Sequence, residues 1–213
     1  GEGKFVESKK EGLWQFYYED GTLQSEGNFK EGWKEGEWNW YWEDGTLQET
    51  SHFEKGELNG VTEIYFENGY LEQAGEWKKG KQDGWWKYYN RGGYLESEGG
   101  WKDDEYNGEW YWYNEDGVLT EYANYKDNVI HGKKEAYWEN GSLKVRGKYK
   151  EGKEHGKFTW YYASGQIEEI AFYEDGLLNG ELMGYCPDGS LAIHDYYVNN
   201  EFDHSIMEEK ECD

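Results

Sequence analysis

The sequence predicts an all-β repeat protein: an elongated, twisted, single-layer antiparallel sheet of eight β-hairpins, each 24 residues long. Three observations predict it. Glycine recurs at a fixed interval along most of the chain. Aromatic residues make up 20% of the sequence, whereas proline occurs once, at Pro187. Asp-Gly and Asn-Gly pairs separate the aromatic-rich runs, and such pairs suit the left-handed backbone of a tight hairpin turn.

The interval is read from the glycines. Gly12, Gly36, Gly60, Gly84, Gly108, Gly132, Gly156 and Gly180 each open a unit. Nine residues later stands a second glycine: Gly21, Gly45, Gly69, Gly93, Gly117, Gly141, Gly165 and Gly189. Tyrosine recurs at Tyr17, Tyr41, Tyr65, Tyr89, Tyr113, Tyr137, Tyr161 and Tyr185. With the opening glycine as position 1, position 18 is always aromatic, from Phe29 to Tyr197. A period this regular marks a tandem array in which each unit is stabilised by its neighbours. Residues 1–11 read as the tail of an earlier unit, a partial N-terminal cap. Residues 12–203 carry the eight repeats. Residues 204–213 form a C-terminal cap or tail, where His204 replaces the next opening glycine.

Within a unit the first strand covers positions 2–8 and the second positions 11–18. The Asp/Asn-Gly pair, as at Asp20-Gly21, predicts a two-residue type I′ turn between them. A wider loop, such as Lys30 to Glu35, joins one hairpin to the next. That turn sets position 8 against 11, 7 against 12, 5 against 14 and 3 against 16. Period-two alternation then puts Trp14, Phe16, Tyr18, Leu23, Gly27 and Phe29 on one face, and Gln15, Tyr17, Glu19, Thr22, Gln24 and Glu26 on the other. Position 16 is small in seven of eight units and opposes a frequent tryptophan, which suggests a ring laid over bare backbone.

Composition excludes several functions. The net charge is −24, so the chain repels phosphate backbones and anionic lipid; neither nucleic acid nor membrane is an expected partner. The complement of such a surface is a basic protein. The two cysteines, Cys186 and Cys212, form neither a disulfide framework nor a zinc pattern and fit a reducing compartment. A cytoplasmic location is the expectation; export is the alternative if a signal segment precedes Gly1.

The run Gly27-Asn28-Phe29-Lys30-Glu31-Gly32-Trp33-Lys34-Glu35-Gly36 resembles the core of the MORN repeat, Gly-x-aromatic-x-x-Gly-x-x-x-Gly, and recurs from Gly75 to Gly84 and from Gly147 to Gly156. The stretch Tyr-aromatic-Glu-Asp/Asn-Gly-x-Leu is similar to the bacterial variant of that repeat. The resemblance covers about residues 3–203 and implies a hairpin-repeat fold. It also implies an antitoxin or immunity protein that neutralises a secreted toxin by direct binding, or else a scaffold protein. The sequence departs from the pattern at Asp104, Asn128 and Asn200, which replace a core glycine, and at Asp195, which replaces the small residue of position 16. Asparagine tolerates the left-handed conformation, so these loops are expected to survive.

No catalytic constellation is evident. There is no phosphate-binding glycine loop, no Gly-x-Ser-x-Gly and no His-Glu-x-x-His. His131 and His155 share position 24 of successive units, about 10 Å apart by strand spacing, too far to share a metal. No cofactor, metal or enzymatic activity is expected. The candidate contacts are instead aromatic and acidic. Trp40, Trp86, Trp110, Trp112 and Trp160 lie on the aromatic face, and position 5, which varies most, suits partner contact. Glu19, Glu43, Glu67, Glu115 and Glu139 repeat at position 8 and are expected to form an acidic row on the tyrosine face, steering a basic toxin domain onto a monomer.

Overall fold

The computed structural model describes residues 1–212 and divides into two compact units, Gly1–Glu105 and Tyr106–Asp213. Its secondary structure is all β. The first unit holds β1 (Glu2–Val6), β2 (Lys9–Tyr17), β3 (Leu23–Lys30), β4 (Trp33–Tyr41), β5 (Leu47–Glu54), β6 (Glu57–Tyr65), β7 (Leu71–Lys78), β8 (Lys81–Tyr89) and β9 (Leu95–Lys102). The second holds β10 (Glu105–Tyr113), β11 (Leu119–Lys126), β12 (Val129–Tyr137), β13 (Leu143–Lys150), β14 (Lys153–Glu154), β15 (Gly156–Tyr161), β16 (Ile167–Glu174), β17 (Leu177–Tyr185), β18 (Leu191–Val198) and β19 (Glu201–Ser205). In each unit the strands form an antiparallel meander in which successive strands pair, with the short β14 and the following β15 both pairing with β13.

The two kinds of turn are the reverse of the expectation. At the Asp-Gly site, Gly21 N–H donates to the Tyr18 carbonyl (3.1 Å) and Tyr18 N–H to the Thr22 carbonyl (2.8 Å), which closes a three-residue loop. Gly21 has φ +91° while Asp20 stays out of the positive-φ region, the form of a type I turn followed by a left-handed glycine. Asp20 is selected for its side chain: its carboxylate accepts Thr22 N–H at 2.8 Å. The same loop recurs in every repeat through Cys186–Ser190. The type I′ turns lie instead between repeats. Glu31 (φ 52°) and Gly32 (φ 89°) join Lys30 and Trp33, which pair directly, so the expected wide loop is a two-residue turn. Asp104, Asn128 and Asn200 hold the second site of such turns at φ 69°, 65° and 70°.

The longer loop shifts the register near the turn. Tyr17 pairs with Leu23 rather than Tyr18 with Leu23, and Gln24 is an unpaired bulge residue. Beyond the bulge the pairs are as expected: Phe16 with Ser25 and Trp14 with Gly27. A second irregularity falls at each opening glycine. Between the pairs Gly27–Trp38 and Asn28–Glu35, Gly36 and Glu37 are extra, and Gly36 takes φ +73°, a conformation that costs a β-carbon residue more than a glycine.

The core is the tryptophan row of position 3. Trp14, Trp38, Trp86, Trp110 and Phe158 are buried. The rings of Trp14, Trp38, Trp86 and Phe158 are laid over glycine as expected, but the glycine belongs to the preceding hairpin. A β-carbon added at Gly27 would sit 2.3 Å from Trp38, one at Gly3 would sit 2.4 Å from Trp14, and one at Gly147 would sit 2.1 Å from Phe158. The indole N–H fixes the ring: Trp38 Nε1 donates to the Asn28 carbonyl at 3.0 Å and Trp86 Nε1 to the Glu76 carbonyl at 3.1 Å. Where the preceding residue is larger than glycine, the aromatic is missing. Ser51 faces Thr62, Ala123 faces Lys134, and Ala171 faces Leu182.

The chain ends differ from expectation at the cysteines. Cys186 and Cys212 are joined in a disulfide that ties the C-terminal tail to the last hairpin turn, and Lys210 N–H donates to the Ala192 carbonyl at 2.9 Å along the same path.

Candidate partner-binding surfaces

Three surfaces repeat along each unit. The first is the aromatic face. In a complete repeat the rings of positions 3, 5 and 18 make a cup, and the residue two before the opening glycine reaches into it. In the second repeat Trp38 and Trp40 lie 5.9 Å apart, with Phe53 at 6.0 Å from Trp40. Lys34 Nζ sits 4.4 Å from the first two ring centres and 4.8 Å from the third. Lys10 does the same over Trp14, Phe16 and Phe29. Ring faces attract an ammonium, while burial among them pulls the Lys34 pKa below its ordinary value despite nearby Glu49. In the fifth repeat a ring fills the cup: Tyr106 lies 4.1 Å from Trp110.

The candidate tryptophans therefore divide. Trp86 and Trp110 are 0% and 1% exposed, so they are core residues with no surface to offer. Trp40, Trp112 and Trp160, at the variable position 5, are half-buried and border the solvent side of their cups. Sequence reasoning missed more exposed aromatics: Trp33, Tyr70 and Tyr94 are 61%, 54% and 58% exposed. Trp33 opens a strand directly after a type I′ turn, and Tyr70 and Tyr94 follow the turn glycine, signals that were legible once the turn types were known.

The second surface is the turn edge. Glu19, Glu43 and Glu67 in the first unit, and Glu115 and Glu139 in the second, are exposed. They occupy the first loop residue of each three-residue turn, not a strand face, because the loop starts one residue earlier than a two-residue turn would. In each unit they thus make an acidic edge. Successive turns are tied together beneath it: Tyr18 Oη donates to the Tyr41 carbonyl at 2.7 Å, and Trp138 Nε1 to the Tyr161 carbonyl at 3.0 Å.

The third surface is the tyrosine face, where phenols meet carboxylates. Tyr65 donates to Glu63 at 2.7 Å and Tyr122 to Glu109 at 3.1 Å. Burial, then these carboxylate contacts, push the phenols of Tyr65 and Tyr122 up to about 12. Glu135 is buried and receives Tyr137 (2.7 Å), Lys133 (2.8 Å) and Arg146 (2.6 Å). Its burial alone would raise its pKa; the three donors together outweigh burial and hold it below the ordinary value.

One histidine serves the type I′ edge. His131 Nδ1 accepts Glu151 N–H at 3.4 Å, the role that Glu11 and Glu35 carboxylates play toward Glu31 and Lys55. Among the described residues no group of three or more His, Cys, Asp or Glu side chains is placed to hold a metal ion, and no helix is long and apolar enough to cross a membrane.

No curated protein matches the chain. The family model of the MORN repeat variant matches residues 10–31, 34–55, 106–127, 130–151 and 154–175. The segments 57–78 and 81–102 between these matches have the same hairpin register, the same turn pair and the same loop hydrogen bonds. The chain is a repeat protein of the MORN repeat variant family.

Proposed function

We propose that this protein binds a basic protein domain and neutralises it by occlusion, as an immunity or antitoxin protein does for a toxin. The observation that carries the reading is the exposed acidic turn edge, one glutamate per turn in five repeats, on a chain of net charge −24. Such a row raises the rate of encounter with a basic surface. The half-buried Trp40 of the first unit and Trp112 and Trp160 of the second supply apolar area, the usual source of slow dissociation. A monomer suffices for this role. The Cys186–Cys212 disulfide supports the exported location over the cytoplasmic one, since such bonds persist in oxidising compartments.

The test uses the tagged chain as bait, with bound protein eluted by salt. The expected partner is rich in Lys and Arg, arrests growth when expressed alone, and loses that effect when this chain is made beside it. A partner whose expression is harmless would replace neutralisation with scaffolding. Recovery of no basic partner would end both the electrostatic and the occlusion reading.

A further inference from the structure

The aromatic cup of the seventh repeat differs from all others in what meets it. Phe158, Trp160 and Tyr173 form the same triad as Trp38, Trp40 and Phe53: the ring separations are 5.8, 5.1 and 6.5 Å. Where Lys10 and Lys34 reach into their cups, the matching residue here is Glu154. A carboxylate is repelled by the negative ring faces that attract an ammonium. Glu154 accordingly turns to Tyr149, whose hydroxyl donates to it at 3.2 Å. The preceding repeat opens the space further, because Lys134 and Ala136 stand where other repeats carry tryptophan. The result is a cleft of about 370 Å³ lined by Glu121, Ala136, Tyr149, Glu154, Phe158 and Trp160, with Tyr173 behind.

The cleft's own cations already have partners, Lys134 within the cleft lining itself. Lys134 Nζ pairs with Glu121 at 3.0 Å, and Lys144 Nζ lies 4.5 Å over the Trp138 ring. On the far side Glu169 pairs with Trp160 as Glu49 pairs with Trp40. Glu49 has Lys34 for a counter-ion; Glu169 instead has burial and Glu168, which hold its carboxyl above the ordinary range.

We infer that this cleft is a receptor for a lysine side chain of a basic partner, the partner's ammonium taking the place that Lys10 and Lys34 fill in their own repeats. The occupant is set by chemistry visible within the same molecule. Two equivalent cups hold an ammonium 4.4–4.8 Å from three rings, and this one adds the Glu154 carboxylate to its lining. The inference deepens the basic-partner reading above and rests on it.

The probe is the peptide acetyl-Gly-Gly-Lys-Gly-Gly-amide, titrated into the full chain at physiological salt while the Trp160 indole N–H resonance is followed. Trp160 is expected to shift saturably. The same peptide with an acetylated lysine should bind about tenfold more weakly, having lost its charge. Glu154→Lys supplies the cup with an internal ammonium and should abolish the shift. Ala136→Trp, which closes the cleft from the other side, should also abolish it, so the test survives the misfolding of either variant. Glu96→Lys, an exposed charge-matched change elsewhere, should leave the shift intact. No shift at Trp160, equal binding of the acetylated peptide, or a shift retained in a folded cleft variant overturns the inference. A captured partner that binds the Glu154→Lys variant unchanged sinks the cleft alone. A cleft that takes the lysine probe when no toxic partner is rescued sinks neutralisation alone.

Discussion

The ring of Trp38 lies flat on the backbone of Gly27, so closely that a β-carbon on Gly27 would come within 2.3 Å of Cδ2. The ring is fixed there by its own N–H, which donates to the Asn28 carbonyl. It cannot withdraw without leaving that carbonyl unpaired. Gly27→Ser should therefore destabilise the first unit by about 2 kcal/mol or more, the scale of core overpacking. Trp38→Thr should cost about 3 kcal/mol through lost burial. Ser51 and Thr62, whose hydroxyls meet at 2.7 Å, show that the two changes suit each other. The double variant should be less damaged than the sum of the singles, by more than about 1 kcal/mol. Denaturant titration of the four proteins measures this coupling; additive losses would mean that the ring and the glycine are independent.

The type I′ turns between repeats give a second prediction. Asn128 sits at φ 65° and its side-chain oxygen accepts Tyr106 N–H at 2.8 Å. Asp104 and Asn200 do the same for Gln82 and Leu178. Asn128→Gly removes the acceptor but relaxes the backbone, so the two effects oppose and the net loss should stay under about 1 kcal/mol. Asn128→Ala loses the hydrogen bond and also forces a β-carbon into the left-handed region, for about 2 kcal/mol in total. Thermal melts that rank glycine below alanine would contradict this account.

The period, the strands and the hairpin pairs away from the turn were legible because glycine and tyrosine repeat without a gap. The turn types were not. Asp20-Gly21 was read for its left-handed propensity, whereas Asp20 acts through its carboxylate on Thr22 N–H. Glu31-Gly32 carries no conventional hairpin signature, yet both residues take positive φ, as a two-residue type I′ turn requires, and Gly32 N–H donates to the Lys10 carbonyl of β2 at 3.0 Å. Contacts of that kind, between one repeat and the next, are invisible to a reading confined to a single unit. The same limit hid the core. Trp86 and Trp110 read as contact residues because a single sheet offers no second layer, but both are buried: Trp86 lies over Gly75 of the adjoining strand, and Trp110 is packed against Tyr106 and Trp112. The cleft at Ala136 was in the sequence as a variable position 5; what was missing was that Glu154 stands where Lys34 plugs its cup.

Stability should fall at both ends of the pH scale, for different groups. Glu135 is held below its ordinary pKa of 4.5 in the fold. Its contribution is therefore present above the unfolded value and lost as pH falls through the folded one, in acid. Tyr65, Tyr122, Tyr137 and Tyr149 are pushed up to about 12, from 10.0. Their contribution is present below pH 10 and lost as pH rises toward 12, because the unfolded chain ionises first. Urea midpoints should thus decline below about pH 4 and above about pH 10, and Glu135→Gln should flatten the acid limb. An acid limb unchanged by that substitution would remove Glu135 from the account.

The disulfide closes a loop of sequence separation 26 at the end of the second unit. Loop-closure entropy for that length is worth about 3 kcal/mol. Cys212→Ser should release the tail from Ala192 and expose the last repeat to exchange while leaving the first unit unaffected. Hydrogen exchange resolved by residue would show faster exchange at Lys210 and Ile206, whose N–H groups donate to Ala192 and His194. Unchanged protection there would mean that the backbone hydrogen bonds hold the tail without the disulfide.

The kinetics of partner binding should separate the acidic edge from the aromatic face. The glutamates of the edge are solvent-exposed, so their pull on a basic partner acts over roughly a Debye length and is screened by salt. They should set the association rate. Replacing Glu19, Glu43 and Glu67 together with Gln should slow association and weaken its salt dependence, with little change in dissociation. The aromatic contacts form only once water has been expelled, so they should set the dissociation rate. Trp112→Ala, at a half-buried position 5, should speed dissociation about tenfold or more at an unchanged association rate. Both variants keep the buried tryptophan row intact, which allows the comparison to be made on folded protein. Surface plasmon resonance at two ionic strengths measures all four rates. If salt leaves association untouched and Trp112→Ala dissociates normally, neither surface meets the partner, and the contact lies on the tyrosine face or on the type I′ edge, where Trp33 is 61% exposed.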